Sequence, residues 1–550
     1  MNKEKYSHVK SRKHDGVFYT LLILSDFLSS EIISRIDNFE QKIVITDPAI
    51  GDGELIISLL EKIPKNKKII VYGFDINKES IKISKERISS LFKDVELNII
   101  QANFLNYCLS EKQLIKSDIV IANPPYIRNQ KLGTELSKKL SVDFKIKGRI
   151  DIYQAFIIGI NNILSKTGIA GVIMSNRFLT TKGAGEFRDK IYNLYDIYEL
   201  LDLGDTKIFD AAVLPAIMLF SLKNNNEKPI TKFKSIYETD QDITDNDILF
   251  ETPLAALNCK GIIKCKTGIK YTIKNGILEF DGNPKNIWRI HDSESEEWLK
   301  KVEVNTWARF GDIGKIRVGV KTTADNVFIR DSFEGISDEK IIKPLITHHV
   351  AGRFKQLPIK TKEILYTHEF VGNKKTVINL DEYPKAKSYL EKNKQQLDSR
   401  NYIHQSNRKW YEIWVPQNPS LWKEEKIIFR DICERPTFWF NNEDSVVNGD
   451  CYWLINDYKK DYNEILWLVL AVANSTFIEK FYDIKFNNKL YSNKRRFISQ
   501  YVENFPLPNP NTLMSKNMID LSKKIYHSKI YNIAEYEKKL DSLVWKSFGF

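Results

Sequence analysis

The sequence predicts an α/β protein. Its N-terminal part should form a doubly wound, mostly parallel sheet, followed by a mixed α+β domain. Three observations predict this. Strand-like apolar runs alternate with helical segments from about residue 42 to 222. Glycine, acidic or amide residues close several of those runs, at what would be the carboxyl ends of the strands, where such sheets bind ligands. Beyond residue 225 the alternation stops, and from about residue 300 short strand-like pieces rich in Trp and Tyr, with basic residues between them, take over.

In order, a short loop leads into a helix at FYTLLILSDFLSS. KIVITDP is a strand that meets AIGDG, and ELIISLLEKI is a helix. KKIIVYGFDI is a strand and KESIKISKERISSLF a helix. VELNIIQANF and SDIVIANPP are strands. IYQAFIIGINNIL is a helix, IAGVIMSN a strand and AGEFRDKIYNLY a helix, before the strands IYELLDLG and LPAIMLFSL. The expected organisation is a first domain over 1–225, a mixed connecting segment over 226–300, a second domain over 301–510 and a helical segment over 511–550. Within the connecting segment, Asn275-Gly276 predicts the turn of a hairpin in IKYTIKNGILEF.

The 550-residue chain carries a net charge of +12, which suits a polyanionic partner and equally describes a lysine-covered surface. No run approaches the roughly 18 uncharged apolar residues needed to span a bilayer. The basic N-terminal stretch has no apolar signal core behind it. Cys108, Cys259, Cys265, Cys433 and Cys451 are scattered and complete no zinc pattern. These features predict a cytoplasmic protein with reduced thiols, no membrane association and no metal.

Three strand ends describe a nucleoside pocket. In TDPAIGDGELI, Gly51 and Gly53 lie between strand and helix, where a missing Cβ lets a ligand approach the backbone. Asp75 closes the next strand, placed to accept both hydroxyls of a ribose, although it could instead cap the helix after it. At the third strand end, Asn103 could bond an adenine edge and Phe104 pack on its face. The alternative is a turn residue followed by a core Phe.

Asn123-Pro124-Pro125-Tyr126 closes the fourth strand. An exocyclic amine on a nucleobase is a poor nucleophile, because its lone pair is delocalised into the ring. Two acceptors aimed at its N–H bonds, the Asn123 side-chain oxygen and the Pro124 carbonyl, would shift it toward a tetrahedral, reactive state. The prolines hold that geometry in advance and Tyr126 stacks on the base. A polyproline loop without chemistry is the alternative.

With these motifs in this order, the sequence resembles the TaqI-like group of DNA adenine-N6 methyltransferases from restriction–modification systems. The resemblance covers nearly the whole chain. It implies a Rossmann-like class I methyltransferase domain, a DNA target-recognition domain, S-adenosylmethionine as cofactor and double-stranded DNA as partner. It also suggests a separately encoded restriction endonuclease as a counterpart. GVFYT, with Phe18, Tyr19 and Thr20, matches the motif that contacts the methionine part of the cofactor. DPAIGDG, with Asp47, Ala49, Gly51 and Gly53, matches the glycine-rich loop. GFDI, with Asp75 and Ile76, matches the ribose-binding strand, and ANFL, with Asn103 and Phe104, the adenine-contacting motif. Phe209, in IFDAAVLPAIMLF, would stack on a flipped target adenine opposite Tyr126.

The sequence departs from the family at Asn103 (commonly Asp), at Leu21 (usually Pro), and at Ile50 and Asp52 (usually Cys and Ser). Stretches from ARFGDIGKIRVGVKTTADNVFI to KRRFISQYVENFPLPNP resemble the TaqI-type specificity domain. There Arg353, Arg408, Lys409, Lys494, Arg495 and Arg496 are candidate DNA contacts, each weighed against a solvated surface charge. Trp410, Trp414 and Trp422 are expected in the core rather than facing DNA. Rival readings are a methyltransferase on cytosine-N4, an RNA base or protein glutamine, and a DNA-reading module with a degenerate methylase domain.

Overall fold

The computed structural model describes residues 22–110, 114–127, 134–148, 150–206, 214–224, 229–241, 249–336, 340–372, 374–457, 462, 464–486, 490, 494–528 and 533–550. The main division between its two compact units falls after Ser293.

The first unit begins with α1 (Leu22–Ile33), β1 (Lys42–Asp47), α2 (Glu54–Leu60), β2 (Lys68–Asp75), α3 (Lys78–Leu91), β3 (Glu96–Gln101), α4 (Phe104–Cys108) and β4 (Ser117–Ala122). It continues through α5 (Thr134–Asp143), α6 (Ile152–Ile163), β5 (Leu164–Ser175), α7 (Gly185–Leu194), β6 (Tyr195–Asp202) and β7 (Pro215–Leu222). The strands β8 (Lys232–Glu238), β9 (Leu249–Phe250), β10 (Gly261–Cys265), β11 (Lys270–Glu279) and β12 (Arg289–His291) complete it. Their spatial order is β3-β2-β1-β4-β5-β7-β6-β8-β11-β10-β9, with β12 paired to β11. Neighbours from β3 to β5 are parallel, and β7 runs antiparallel between β5 and β6.

The apolar run of β4 explains the double winding. Ile119 and Ile121 face a core with Leu24 and Leu28 of α1, Ile56 and Leu59 of α2, and Ile88 of α3. Val120 and Ala122 face the opposite core, with Phe104, Phe156, Ile160 and Phe187. A strand covered on both faces has no polar alternation, so it reads as a continuous apolar run. Each such side chain contributes about 1.5–3 kcal/mol of burial. Local signals set the helix starts. Asn77 caps α3 by accepting from the N–H groups of Glu79 and Ser80. Gln154 reaches back to the Asp151 N–H (3.0 Å) ahead of α6.

Two expectations are corrected here. Asn275-Gly276 is no hairpin turn: both residues lie inside β11, paired with Lys234 and Phe233 of β8. Glycine is needed because β12 passes close by, and a Cβ at Gly276 would fall 2.3 Å from the His291 carbonyl oxygen. The stretch 226–300 is also no separate connector. Its strands β8 to β12 extend the sheet of the first unit, and the division falls at its far end.

In the second unit, Arg317–Val318, Cys451–Ile455, Lys426–Arg430 and Phe438–Asn441 form one four-stranded sheet. Ile329–Arg330, Lys362–Leu365, Ile342–Ile346 and Val446–Val447 form another. Trp422, Trp439 and Trp453 are fully buried in its core. The C-terminal helices α8 (Leu513–His527) and α9 (Ile533–Ser547) belong to this unit. Phe548 stacks on Phe477 with centroids 4.2 Å apart, and Phe550 on Trp298 at 5.4 Å. Among the described residues no single helix is long and apolar enough to cross a membrane.

Candidate active site

The order of strands across the sheet lines up the predicted motifs. β1 lies between β2 and β4, so the loops after β2, β1 and β4 emerge side by side at one edge, with the end of β3 beyond β2. The pairing of Asp47 with Gly73, and of Asp75 with Gln101, fixes their relative heights. Across that edge run Asn103, Asp75, the glycine loop and then Asn123-Pro124-Pro125-Tyr126.

The glycine loop needs its glycines. Gly51 (φ +53°) and Gly53 (φ +83°) are left-handed, and a Cβ on Gly53 would press on Ser84 and Ile88 at 3.2 Å. Ile50, a departure from the family, is buried against Gly73, where a Cβ would come within 2.4 Å of its Cδ1. Asp52, another departure, pairs with Arg87 at 3.1 Å. Both side chains thus have local partners within the fold.

Asp47 is 1% exposed at the end of β1. Its Oδ1 accepts from the Ala49 N–H (2.9 Å), while Oδ2 has no hydrogen-bond partner among the described residues. Burial pushes its carboxyl up to about 8. A buried orphan acceptor beside a glycine loop is the complement of a cationic ligand group.

Asp75 accepts from the Gly51 N–H (3.1 Å) through Oδ2 and from the Asn77 N–H (2.8 Å) through Oδ1, tying two ligand loops together. The helix cap is Asn77, not Asp75, which sets aside the capping reading of that carboxylate. Burial raises the Asp75 carboxyl above its ordinary value, against the lowering effect of these hydrogen bonds. Ile76 is 73% exposed, an apolar surface beside the carboxylate.

At the third strand end, Asn103 is exposed and caps α4 by accepting from the Leu105 N–H (2.9 Å). Phe104 does not line the pocket. It is buried, stacked on Phe156 (5.4 Å) and edge-on to Phe74 (5.8 Å), so the expectation that it packs on adenine is corrected to a core role.

In the Asn-Pro-Pro-Tyr loop, the Tyr126 hydroxyl donates to Asn123 Oδ1 (2.7 Å). The Pro124 carbonyl receives no hydrogen bond among the described residues and stands as an open acceptor. Tyr126 is partly exposed, 6.3 Å from Tyr153, and desolvation drives its hydroxyl well above the ordinary tyrosine value. The Ile152 N–H donates to the Ile127 carbonyl (3.3 Å), joining the end of this loop to the start of α6. Phe18, Tyr19, Thr20 and Phe209 lie outside the described residues.

A buried polar cluster went unnoticed in the sequence. Asp202 closes β6 and accepts from Asn176 Nδ2 (2.9 Å) and from the Tyr237 hydroxyl (2.6 Å). Its carboxyl is raised to about 6, burial outweighing those donors. Asn176 N–H bonds the Leu214 carbonyl (2.9 Å) and Leu203 N–H the Pro215 carbonyl (3.0 Å), pinning the chain where β7 begins. The only available signal was three polar residues at strand ends in otherwise apolar runs.

The candidate DNA contacts divide. Arg353 bonds the Pro436 carbonyl (3.0 Å) and pairs with Glu537 (3.3 Å). Arg495 makes a two-pronged pair with Asp483 (2.8 Å each), and Arg496 binds Asp431 (3.0 Å). Arg408 donates to the Trp414 carbonyl (2.9 Å). These four are engaged by partners within the second unit. Lys409 and Lys494 are exposed. Of the three tryptophans expected in the core, Trp422 is fully buried, Trp410 is partly buried, and Trp414 is 45% exposed.

Comparison with known proteins agrees with this layout. Residues 70–209 match the Eco57I restriction-modification methylase family, and residues 359–507 match the TaqI-like C-terminal specificity domain. The chain is 34% identical to the type II methyltransferase M.BanIII of Aneurinibacillus aneurinilyticus, over 98% of this chain and 97% of that protein. It is 24% identical to the type II methyltransferase M.BstVI of Geobacillus stearothermophilus, over 97% and 96%. Its fold is similar to that of DrdV, solved as a complex with DNA (TM-score 0.57, 13% identity, 95% of this chain and 58% of that one). It is also similar to a nuclease-deletion mutant of the Type ISP enzyme LlaGI (TM-score 0.54, 12% identity, 96% and 56%). Identity of 34% along nearly the whole length of both proteins shows the family: the chain belongs to the type II methyltransferases of restriction–modification systems.

Proposed function

We propose that this protein transfers a methyl group from S-adenosylmethionine to the N6 amine of an adenine flipped out of a specific duplex sequence. The observation that carries the proposal is the adjacency of β1 and β4, which sets the cofactor loop beside Asn123-Pro124-Pro125-Tyr126. When bound, the cofactor supplies a methyl group already activated on a sulfonium, so the chain needs no strong base to start the transfer.

The described residues fit that cofactor. Asp47 Oδ2 is the orphan acceptor for its amino-acid ammonium, with Phe18, Tyr19 and Thr20 proposed beside it. Gly51 and Gly53 let the methionine part lie on the backbone, with Ala49 alongside. Asp75 takes the ribose hydroxyls, Ile76 covers one adenine face, and Asn103 bonds the adenine edge through its amide. Together these residues would hold the cofactor beside the loop that follows β4.

On the substrate side, Asn123 Oδ1 and the Pro124 carbonyl accept the two N–H bonds of the target amine. Their pull localises the nitrogen lone pair toward the methyl. Pro124 and Pro125 fix the carbonyl's direction before the base arrives. In the ground state the Tyr126 hydroxyl holds Asn123 Oδ1 in place, and its ring offers a stacking face worth roughly 1–3 kcal/mol to an extruded base. Phe209 is proposed as the opposite face. These contacts offset part of the few kcal/mol needed for extrusion. In the cell the substrate is cytoplasmic DNA, and a separately encoded endonuclease of the same specificity is the expected counterpart.

The test is transfer of labelled methyl to duplex DNA followed by nucleoside analysis. Label in N6-methyl-2′-deoxyadenosine, strongly reduced with Asn123→Ala, supports the reading. Label in N4-methylcytosine, RNA or protein glutamine contradicts it.

A further inference from the structure

The second unit carries two adjoining depressions of about 490 and 430 Å³ that share Lys315, Arg317 and Gln417. Lys321 lines one of them, and Lys375, Phe370 and Trp414 line the other. Lys315, Lys321 and Lys375 are exposed and carry no side-chain hydrogen bond or ion pair among the described residues. Arg317, by contrast, is held by Asp457 (3.1 Å) and lies over the Trp453 ring (5.3 Å), so it forms part of the floor. Two large aromatic side chains remain in water here, Trp414 at 45% and Phe370 at 40% exposure.

The polar groups between the lysines are arranged rather than loose. Gln417 is left-handed (φ +62°), a conformation a non-glycine residue adopts only where its surroundings enforce it. Its Nε2 donates to the Val318 carbonyl (2.7 Å), which leaves Oε1 as a fixed acceptor. Asn418 Oδ1 accepts from the Ser420 N–H (3.2 Å) and hydroxyl (3.1 Å), which leaves Nδ2 as a donor. An acceptor next to a donor complements the major-groove edge of adenine, which offers N6–H₂ and N7. Unpaired lysines around a groove suit phosphates.

We infer that this groove is the surface through which the second unit reads duplex DNA. Lys315, Lys321 and Lys375 grip the backbone, Gln417 and Asn418 read base edges, and Trp414 packs against the exposed sugar–base wall. The inference rests on the proposed action on duplex DNA. It goes further in moving recognition from the internally paired Arg353, Arg495 and Arg496 to the unpaired lysines and the amides of this groove.

The experiment measures duplex binding by the full-length protein as a function of salt, for wild type, for the triple variant Lys315→Ala/Lys321→Ala/Lys375→Ala, and for Gln417→Ala/Asn418→Ala. The three lysines are exposed, and Gln417 and Asn418 are partly buried. Unchanged cofactor affinity and thermal unfolding report that each variant is folded. For the lysine variant we expect the slope of log affinity against log salt to shrink by about 0.9 per lost phosphate contact, and affinity to fall roughly a hundredfold at 0.1 M salt. For the amide variant we expect an unchanged slope with discrimination between target and non-target duplexes reduced at least tenfold. A triple variant with the wild-type slope and affinity overturns the inference, as does an effect confined to RNA. Because binding is read without turnover, a wild type that binds duplex but does not methylate adenine would defeat the functional proposal and leave the groove standing.

Discussion

Asn123 Oδ1 already holds a hydrogen bond from Tyr126, and that contact makes a graded set of outcomes expected. Asn123→Ala removes one of the two acceptors proposed to activate the amine, so turnover should fall about a hundred- to a thousandfold, the scale seen when a pre-organised transition-state hydrogen bond is lost. Tyr126→Phe keeps the stacking ring and removes only the positioning O–H. Single-turnover rates should drop about tenfold with cofactor affinity unchanged, and a rate equal to wild type would show that the hydroxyl is idle.

Asp47 titrates at its ordinary 3.8 when unfolded and at about 8 when folded. Between those values the folded chain keeps a proton that the unfolded chain has released. Its contribution to unliganded stability is therefore complete below pH 3.8 and fades as pH rises toward 8. A cationic ligand group reverses the preference and expels the proton, so cofactor affinity should rise with pH over the same window. Asp47→Asn should flatten that dependence and weaken binding roughly ten- to hundredfold at pH 8, the loss of one charge-assisted hydrogen bond. Calorimetry at two pH values in buffers of different ionisation enthalpy checks both, and a pH-independent wild type would remove Asp47 from the cofactor site.

Elements with buried periodicity were legible, and elements decided by distant partners were not. The strands from β1 to β7 stand where the apolar runs placed them, and all but the half-exposed edge strand β3 are covered on both faces, so little else can end such a run. The hairpin at Asn275-Gly276 failed because the same dipeptide that favours a turn also permits the close passage of β12 over β11. Gly276→Ala should cost more than about 1 kcal/mol by steric overlap alone. The cluster of Asn176, Asp202 and Tyr237 joins three strand ends that sequence spacing cannot bring together. Tyr237→Phe should leave one buried oxygen of Asp202 short of a donor and lower stability by roughly 1–3 kcal/mol. Urea denaturation reads this, and an unchanged midpoint would mean that water replaces the hydroxyl. Arg353, Arg495 and Arg496 misled for the same reason: their carboxylates lie 184, 12 and 65 residues away along the chain.

At the scale of the whole molecule, the proposal assigns the chemistry and the reading of sequence to different units. The proposed chemistry lies at the carboxyl edge of the first unit's parallel strands, where the strand-end motifs stand. The second unit was legible as a specificity domain but not as a set of contacts, because ion pairs within the fold and free charges look alike in a lysine-rich sequence. A consequence is that Asn123→Ala should bind its duplex with wild-type affinity and salt dependence while its transfer rate falls about a hundred- to a thousandfold. The central claim is tested most directly by expressing the protein in a bacterium that lacks DNA methylases and sequencing the genome by a method that detects modified bases. N6-methyladenine at one recurring motif, lost with Asn123→Ala, is the expected result; N4-methylcytosine in place of N6-methyladenine, or an unmodified genome in cells that contain folded, cofactor-binding protein, would contradict it.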